Sequence, residues 1–305
     1  MSRLSQRYFP RKKRPKDEPA HYAFMFIRDI HTGIMPFRTG REYPFTVKLK
    51  RKNESLEEQI KDFLSIGRGA GWSITEELRD MVGTLSHYLV ALGDIYIEIV
   101  QDGKSDKKSL AGKQLVILPR GKVLRVYKYY IQVVPFESWK RGEKKFHFIP
   151  SDNIWHLKLP KKLGSPSRHR RTLKKLNLLS NTTPAFVFED GKLGGSVNYD
   201  FTKHRYNSEV AVENTTSEWG SIWSLSQIKG TTEYYYIVNR LRSCRSQALL
   251  REHIISEVNR LISRVGVKNS IQVKGLALSS DISEAISKLE RGEIGFEEAM
   301  KATKS

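Results

Sequence analysis

The segment Glu189-Asp190-Gly191-Lys192 sets an aspartate two positions ahead of a lysine. That is the order in which metal-dependent nucleases hold a divalent ion and an amine near a scissile phosphate. Such chemistry needs an upstream acid to complete the Mg²⁺ shell, and Glu98 and Asp152 are the acids that would serve. Asp190-Gly191 is equally a turn dipeptide, because Asp bonds nearby backbone and Gly accepts positive φ. The turn is the simpler reading, and the nuclease stays open as its alternative.

Other reactive groupings are sparse. The eight His residues show no His-x3-His or His-Glu-x-x-His spacing, so zinc hydrolysis has no motif behind it. His147 and His156 are placed to meet across strands, and His253 to face solvent or a neighbour. Gly67-Arg68-Gly69-Ala70-Gly71 precedes a helix but lacks the Gly-Lys-Ser/Thr ending of a phosphate loop, so it reads as a joint between helices. No Gly-x-Ser-x-Gly elbow occurs. The expectation is a protein that is not an enzyme, with no catalytic residues, no metal and no cofactor.

Charge is more telling. The formal net charge is +20 over 305 residues, and it is concentrated. Residues 1–52 carry fourteen Lys/Arg against four Asp/Glu, and residues 158–175 carry eight Lys/Arg and no acid. Concentrated cations favour a polyanion, since each one that neutralises a phosphate releases condensed counterions. Lys161, Lys162, Arg168, Arg170, Arg171, Lys174 and Lys175 are the densest candidates for nucleic-acid contact. The Arg series 240, 242, 245, 251, 260 and 264 is too scattered for one face, and solvation is its default reading. Tyr234-Tyr235-Tyr236, with Trp219 and Trp223, could stack bases, although such aromatics more often fill an interface.

These residues need a scaffold. Residues 1–20 read as a basic disordered arm that docks on a polyanion or a neighbouring subunit. Tyr22–Asp29 and Tyr43–Lys52 read as strands, the second with apolar and polar residues alternating at 45–50. Ser55–Ile66 has helical spacing. The next helix is capped by Ser73 or Thr75, carries the stripe Leu78, Met81, Val82, Leu85, Leu89 and Leu92, and ends at Gly93. Ile95–Val100 reads as a strand buried on both faces. Residues 113–159 read as an antiparallel meander. Pro166–Leu179 reads as a basic helix capped by Ser165. Residues 180–231 are the least regular part, with a strand signal at Ala185–Phe188.

Thr232–Val265 contains neither Gly nor Pro and predicts one helix about 50 Å long at 1.5 Å per residue. Its seam of Leu241, Cys244, Ala248, Ile255, Val258, Ile262 and Val265, broken only by Arg251, reads as an interface between copies of the chain. Amphipathic helix returns at Ser280–Leu289 and Phe296–Ala302. The fold class expected is α+β: a β-rich domain over 21–180, a region over 181–265 containing the long helix, and a helical C-terminal segment over 266–305.

Mean hydropathy is −0.49, and no apolar run approaches the roughly 20 residues of a membrane-spanning helix, so no membrane is expected. Met1–Lys16 lacks the apolar core of a secretory signal. A lone Cys244 allows no intrachain disulfide, which fits the cytoplasm.

Two segments in order, Gly93-Asp94-Ile95-Tyr96-Ile97-Glu98 and Pro150-Ser151-Asp152-Asn153-Ile154-Trp155-His156-Leu157, resemble the wing domain of tailed-bacteriophage portal proteins. In the second, one extra residue separates Asp from Ile relative to the family pattern. The resemblance covers mainly residues 75–160. It implies a β-rich wing followed by a stem-like long helix and a clip within 181–231. It further implies one subunit of a homo-oligomeric ring, usually a dodecamer, at the capsid vertex of a virion assembled in the host cytoplasm. Such a ring is the conduit for double-stranded DNA in packaging and ejection. It also meets the major capsid protein, the terminase and the head-tail adaptor.

The chain departs from the family in being short and in offering only one plainly long stem helix. Its strong positive charge contrasts with the acidic channel walls common in portals. Two alternatives stand beside the portal: the metal-dependent nuclease, and a monomeric nucleic-acid-binding protein relying on the basic arm and helix.

Overall fold

The computed structural model describes residues 21–36, 43–66, 73–101, 110, 112–118, 123–134, 144–181, 201–220 and 232–303. The arm at 1–20, the Gly67–Gly71 joint, the strand expected at Ala185–Phe188, the Glu189–Lys192 segment and Trp223 lie outside these. The described chain is α+β. It divides into two compact units, each assembled from separated stretches of sequence.

The first unit comprises Met35–Leu159 and Arg251–Leu276. Its elements are β1 (Thr46–Leu49), α2 (Glu54–Leu64), α3 (Ile74–Leu92), β2 (Asp94–Gln101), β3 (Lys113–Leu118), β4 (Val123–Val126), β5 (Tyr129–Val133), β6 (Phe146–Pro150), β7 (Ile154–Lys158) and β8 (Ile271–Lys274). Ser73 caps α3 in a reciprocal box. Glu76 N–H donates to Ser73 Oγ at 3.4 Å, and the Glu76 carboxylate accepts from Ser73 N–H at 3.0 Å. Leu78, Met81, Val82, Leu85 and Leu89 are all buried on one stripe, as their spacing predicts. Gly93, at φ +85°, ends the helix and donates to the Leu89 carbonyl at 2.7 Å.

That left-handed residue turns the chain directly into β2. This strand is central in the order β3-β2-β7 and is covered on both faces, as expected. The predicted single meander is instead two sheets. β3 and β7 flank β2, while β4-β5-β6 form a separate three-stranded sheet. The physical reason is β2 itself: with neighbours on both edges, it draws β3 and β7 out of the serial hairpin order.

The small sheet packs Val123, Tyr130 and Ile149 against Leu118, Ile154 and Tyr96. Its other face leaves Leu124, Val126, Tyr129, Phe146 and Phe148 exposed, with Leu124, Ile131 and Phe148 side by side across the three strands. β1 alternates exposed and buried residues, as predicted, and pairs antiparallel with β8.

The second unit comprises 17–34, Pro160–Leu250 and Ala277–Ser305. It holds α1 (His21–His31), α4 (Pro166–Asn181), α5 (Phe201–Thr216), the first part of α6 (Glu233–Arg264), α7 (Ser279–Glu290) and α8 (Phe296–Lys301). Two local expectations are corrected here. Tyr22–Asp29 is helix, not strand: Ala23, Phe26, Ile27 and Ile30 are buried at helical spacing, and Tyr22 N–H donates to Ser180 Oγ of α4 at 3.0 Å. Within the supposedly irregular 180–231, α5 is a full helix.

The expected 21–180 domain therefore loses α1 and α4, which pack on each other, and gains β8, whose strand partner is β1.

The long helix α6 is continuous over 32 residues, as predicted. Its seam is not a surface. Leu241 and Ala248 form a core cluster with Ile282, Ile286 and Leu289 of α7 and Ala299 of α8, while Cys244 packs at its edge. Val258 and Ile262 are fully buried too, and Ile255 is half-buried. Leu241, Ala248, Val258 and Ile262 have almost no exposed area to give to another copy, so they are core rather than an interface between subunits.

Candidate nucleic-acid interface

After β7 the chain passes through a 3₁₀ turn, Lys161–Leu163, and reverses at Gly164, whose φ is +95°. α4 starts at Pro166, a residue suited to the first helical position because it has no N–H to satisfy. Ser165 Oγ accepts from Arg168 N–H at 3.2 Å, which is the expected cap. α4 buries His169 and Leu176 and turns its cations outward. All seven predicted contact residues (Lys161, Lys162, Arg168, Arg170, Arg171, Lys174 and Lys175) are exposed.

The opposite wall comes from the turn after α5. Trp219 is buried edge-on against Phe26, centroids 5.5 Å apart, and tilted on His169 at 5.2 Å. Gly220, at φ +70°, lies against the α6 backbone. Held from both sides, this turn presents Ser217 and Glu218 toward α4 and α6.

Two clefts result, both within the second unit. One is lined by Lys161, Lys162, Arg168, Ser217, Glu218, Arg242 and Arg245 and has a volume of about 450 Å³. That far exceeds the roughly 30 Å³ share of one water, so it admits a phosphate group. The other shares Arg168, Ser217 and Glu218 and continues past Arg171, Thr172, Lys175 and Thr215. Five of the seven predicted cations are thereby brought together, while Arg170 and Lys174 line neither cleft. Arg170 instead donates from Nε to the Pro166 carbonyl at 3.0 Å.

Electrostatically the first cleft holds five cations and one acid. Glu218 pairs with Arg168, and both side chains are well exposed. Such a pair contributes at most about 1 kcal/mol and yields readily to a stronger anion. Arg242 reaches Glu290 at 3.6 Å. Burial, and then the neighbouring Arg242, hold the Arg245 guanidinium below the usual arginine value, with Glu290 partly offsetting them. The Arg245 Nε is sealed from solvent with no acceptor. A buried donor without an acceptor is costly and uncommon.

Arg242 and Arg245 are therefore corrected from solvated residues to cleft residues. The rest of the series divides by local contact. Arg240 donates to Tyr236 Oη at 3.3 Å, Arg260 pairs with Glu257, Arg251 is buried, and Arg264 donates to the Ile154 carbonyl at 3.2 Å and to that of Asp152. His253, partly exposed, donates from Nε2 to the Lys158 carbonyl at 2.8 Å.

Base stacking on Trp219 is excluded, since that ring is core. Tyr234, Tyr235 and Tyr236 remain partly exposed. Burial and a hydrogen bond to Glu213 hold the Tyr235 hydroxyl above the usual tyrosine value.

His147 and His156 each have a carboxylate of β2 as partner. On one face of β2, Asp94 receives His156 Nε2 at 3.1 Å and Glu98 faces His147 Nε2 at 3.5 Å, while the His156 ring stacks on Tyr96 at 4.2 Å. Glu98, one of the acids considered for a nuclease, is thus nearly buried beside an imidazole. Among the described residues no three His, Cys, Asp or Glu are grouped to hold a metal, and no helix is long and apolar enough to cross a membrane.

The sequence matches no protein-family model and no curated protein. Fold and site define an α+β protein in two units with a cationic double cleft in the helical one.

Proposed function

We propose that this chain is a structural, DNA-handling protein of the portal type. It would be one subunit of a ring at a capsid vertex that passes double-stranded DNA and docks the shell protein, terminase and tail adaptor. The supporting observation is the pairing of β2 with β7. The two segments that carry the portal resemblance, far apart in sequence, are adjacent antiparallel strands joined by the Asp94–His156 hydrogen bond at 3.1 Å. A capped helix, α3, leads through left-handed Gly93 directly into the first of them.

The α6 seam cannot hold such a ring together, because it is already core. Among the described residues, the outer face of β4-β5-β6 is an apolar surface free to meet a second copy. Contact with DNA would run through phosphates, since Lys and Arg on exposed helix faces read charge and not base edges. Mass photometry with negative-stain microscopy tests the proposal. Closed rings of about twelve subunits are expected, and a strict monomer at micromolar concentration overturns it.

The buried seam favours a second reading, a monomeric nucleic-acid-binding protein that uses the clefts alone. In that case the protein never assembles, and neutralising 161–175 together with deletion of 1–20 abolishes duplex binding.

A further inference from the structure

We propose that the cleft between Arg168 and Arg245 is a seat for a single phosphate group, and that Glu218 is its built-in stand-in. The carboxylate occupies Arg168 when no phosphate is present and yields it when one enters. The inference rests on the DNA-handling reading only for the source of the phosphate, which on that reading is a backbone phosphodiester.

The cations come from three separate places: the Lys161–Leu163 turn, α4 and α6. No local periodicity assembles them, so only the tertiary fold draws them together. Bringing five like charges to one cleft is unfavourable unless an anion completes it. Arg245 adds an independent sign. Its Nε–H is out of solvent and lacks an acceptor, and its charge is held among other cations. A phosphate oxygen would satisfy that donor, while the Ser217 hydroxyl supplies a neutral donor beside it.

Glu218 is the acid lining the cleft, and it holds the Arg168 guanidinium at the cleft mouth. A carboxylate offers one charge and two oxygens. A phosphate monoester or inorganic phosphate offers up to two charges and more oxygens, and a phosphodiester brings one charge with neighbours on either side. Multiple charge-assisted hydrogen bonds from Lys161, Lys162, Arg242 and Arg245 would therefore displace an exposed single ion pair. The adjoining cleft, with Arg171 and Lys175, continues the track for a following phosphate.

The test uses the full-length protein with three substitutions: Glu218→Gln, Arg245→Met and, as a control, Lys174→Gln. Fluorescence anisotropy of a labelled duplex at fixed salt reports binding, inorganic pyrophosphate serves as competitor, and thermal melting reports folding. Glu218→Gln is expected to tighten duplex binding about 3- to 10-fold, because the competitor for Arg168 is gone. Arg245→Met is expected to weaken it about 10-fold or more, while Lys174→Gln changes it less than about 2-fold. If Arg245→Met melts early, Arg242→Gln takes its place with the same expected loss.

Equal duplex affinity for wild type, Glu218→Gln and the arginine variants overturns the seat while leaving the DNA-handling reading intact. Absence of duplex binding, with pyrophosphate raising the melting temperature of wild type and raising it further in Glu218→Gln, overturns that reading. The seat then stands for a free phosphate compound.

Discussion

Gly220 approaches Arg242 so closely that a Cβ built on the glycine falls 2.5 Å from the arginine's own Cβ. The same atom would lie 2.3 Å from Ser243 N and 2.5 Å from the Asn239 carbonyl oxygen, and the residue sits at φ +70°. Backbone cannot step aside as a side chain can. Gly220→Ala is therefore expected to lower stability by about 3 kcal/mol or more. In a surviving fold it would shift Ser217 and Glu218 away from the cations. Thermal melting and duplex titration on the same sample check both consequences, and a melting temperature within a degree of wild type contradicts the packing described.

Salt should report which cations meet phosphate. Neutralising Lys161, Lys162, Arg171 or Lys175 singly to Gln is expected to reduce the slope of log affinity against log salt by about 1 each. Arg170 and Lys174, which line neither cleft, should leave it nearly unchanged. Equal effects at all six positions would mean a diffuse field in place of a track.

Leu241 separates a core from a subunit seam. With no exposed surface and contacts into α7 and α8, Leu241→Ala is expected to cost about 2–5 kcal/mol in unfolding. The mass distribution of folded protein should be unaltered. A variant of normal stability that loses assembly would restore the seam to the surface.

Leu124 and Phe148 give the reverse pattern. They are 62% and 60% exposed and belong to one apolar face. Leu124→Lys and Phe148→Lys should leave melting within about 0.5 kcal/mol of wild type. If copies meet on this face, the same substitutions abolish rings in mass photometry.

Asn259 of α6 reaches both backbone groups of Ile271 in β8, donating to its carbonyl at 3.0 Å and accepting from its N–H at 2.7 Å. Asn259→Ala leaves both without that side chain and is expected to cost about 1–3 kcal/mol. Hydrogen exchange should speed up across Ile271–Lys274 more than in α3.

Much of this scaffold is legible in the sequence where local chemistry and burial agree. Ser73, the stripe from Leu78 to Leu89 and Gly93 all specify one helix, and the absence of Gly and Pro from 233 to 264 specifies another. α1 misleads because Phe24, Met25, Phe26 and Ile27 form a contiguous apolar run that suits strand or helix equally, and its tertiary partners decide. α5 is silent because Ser208, Glu209, Glu213 and Thr216 are polar, so its buried face carries no hydrophobic period.

The seam of α6 is visible as something that must be covered. Whether Ile282 and Ile286 of the same chain or a second copy covers it has no local signature. Likewise the basic run 161–175 stands out at once, whereas Arg242 and Arg245 join it only through the turn held by Trp219 and Gly220.

β1 and β8 bond residue 46 to residue 274. On the ribosome, the amino-terminal strand of this two-stranded ribbon therefore waits on the order of tens of seconds for its mate to be synthesised, at the usual translation rates. Throughout that interval Val47 and Leu49 lack their strand neighbours on a nascent polypeptide. The first unit thus stays incomplete until β8 is made, with α7 and α8 of the helical unit still to follow, and chaperone demand during expression should be high on that half of the protein.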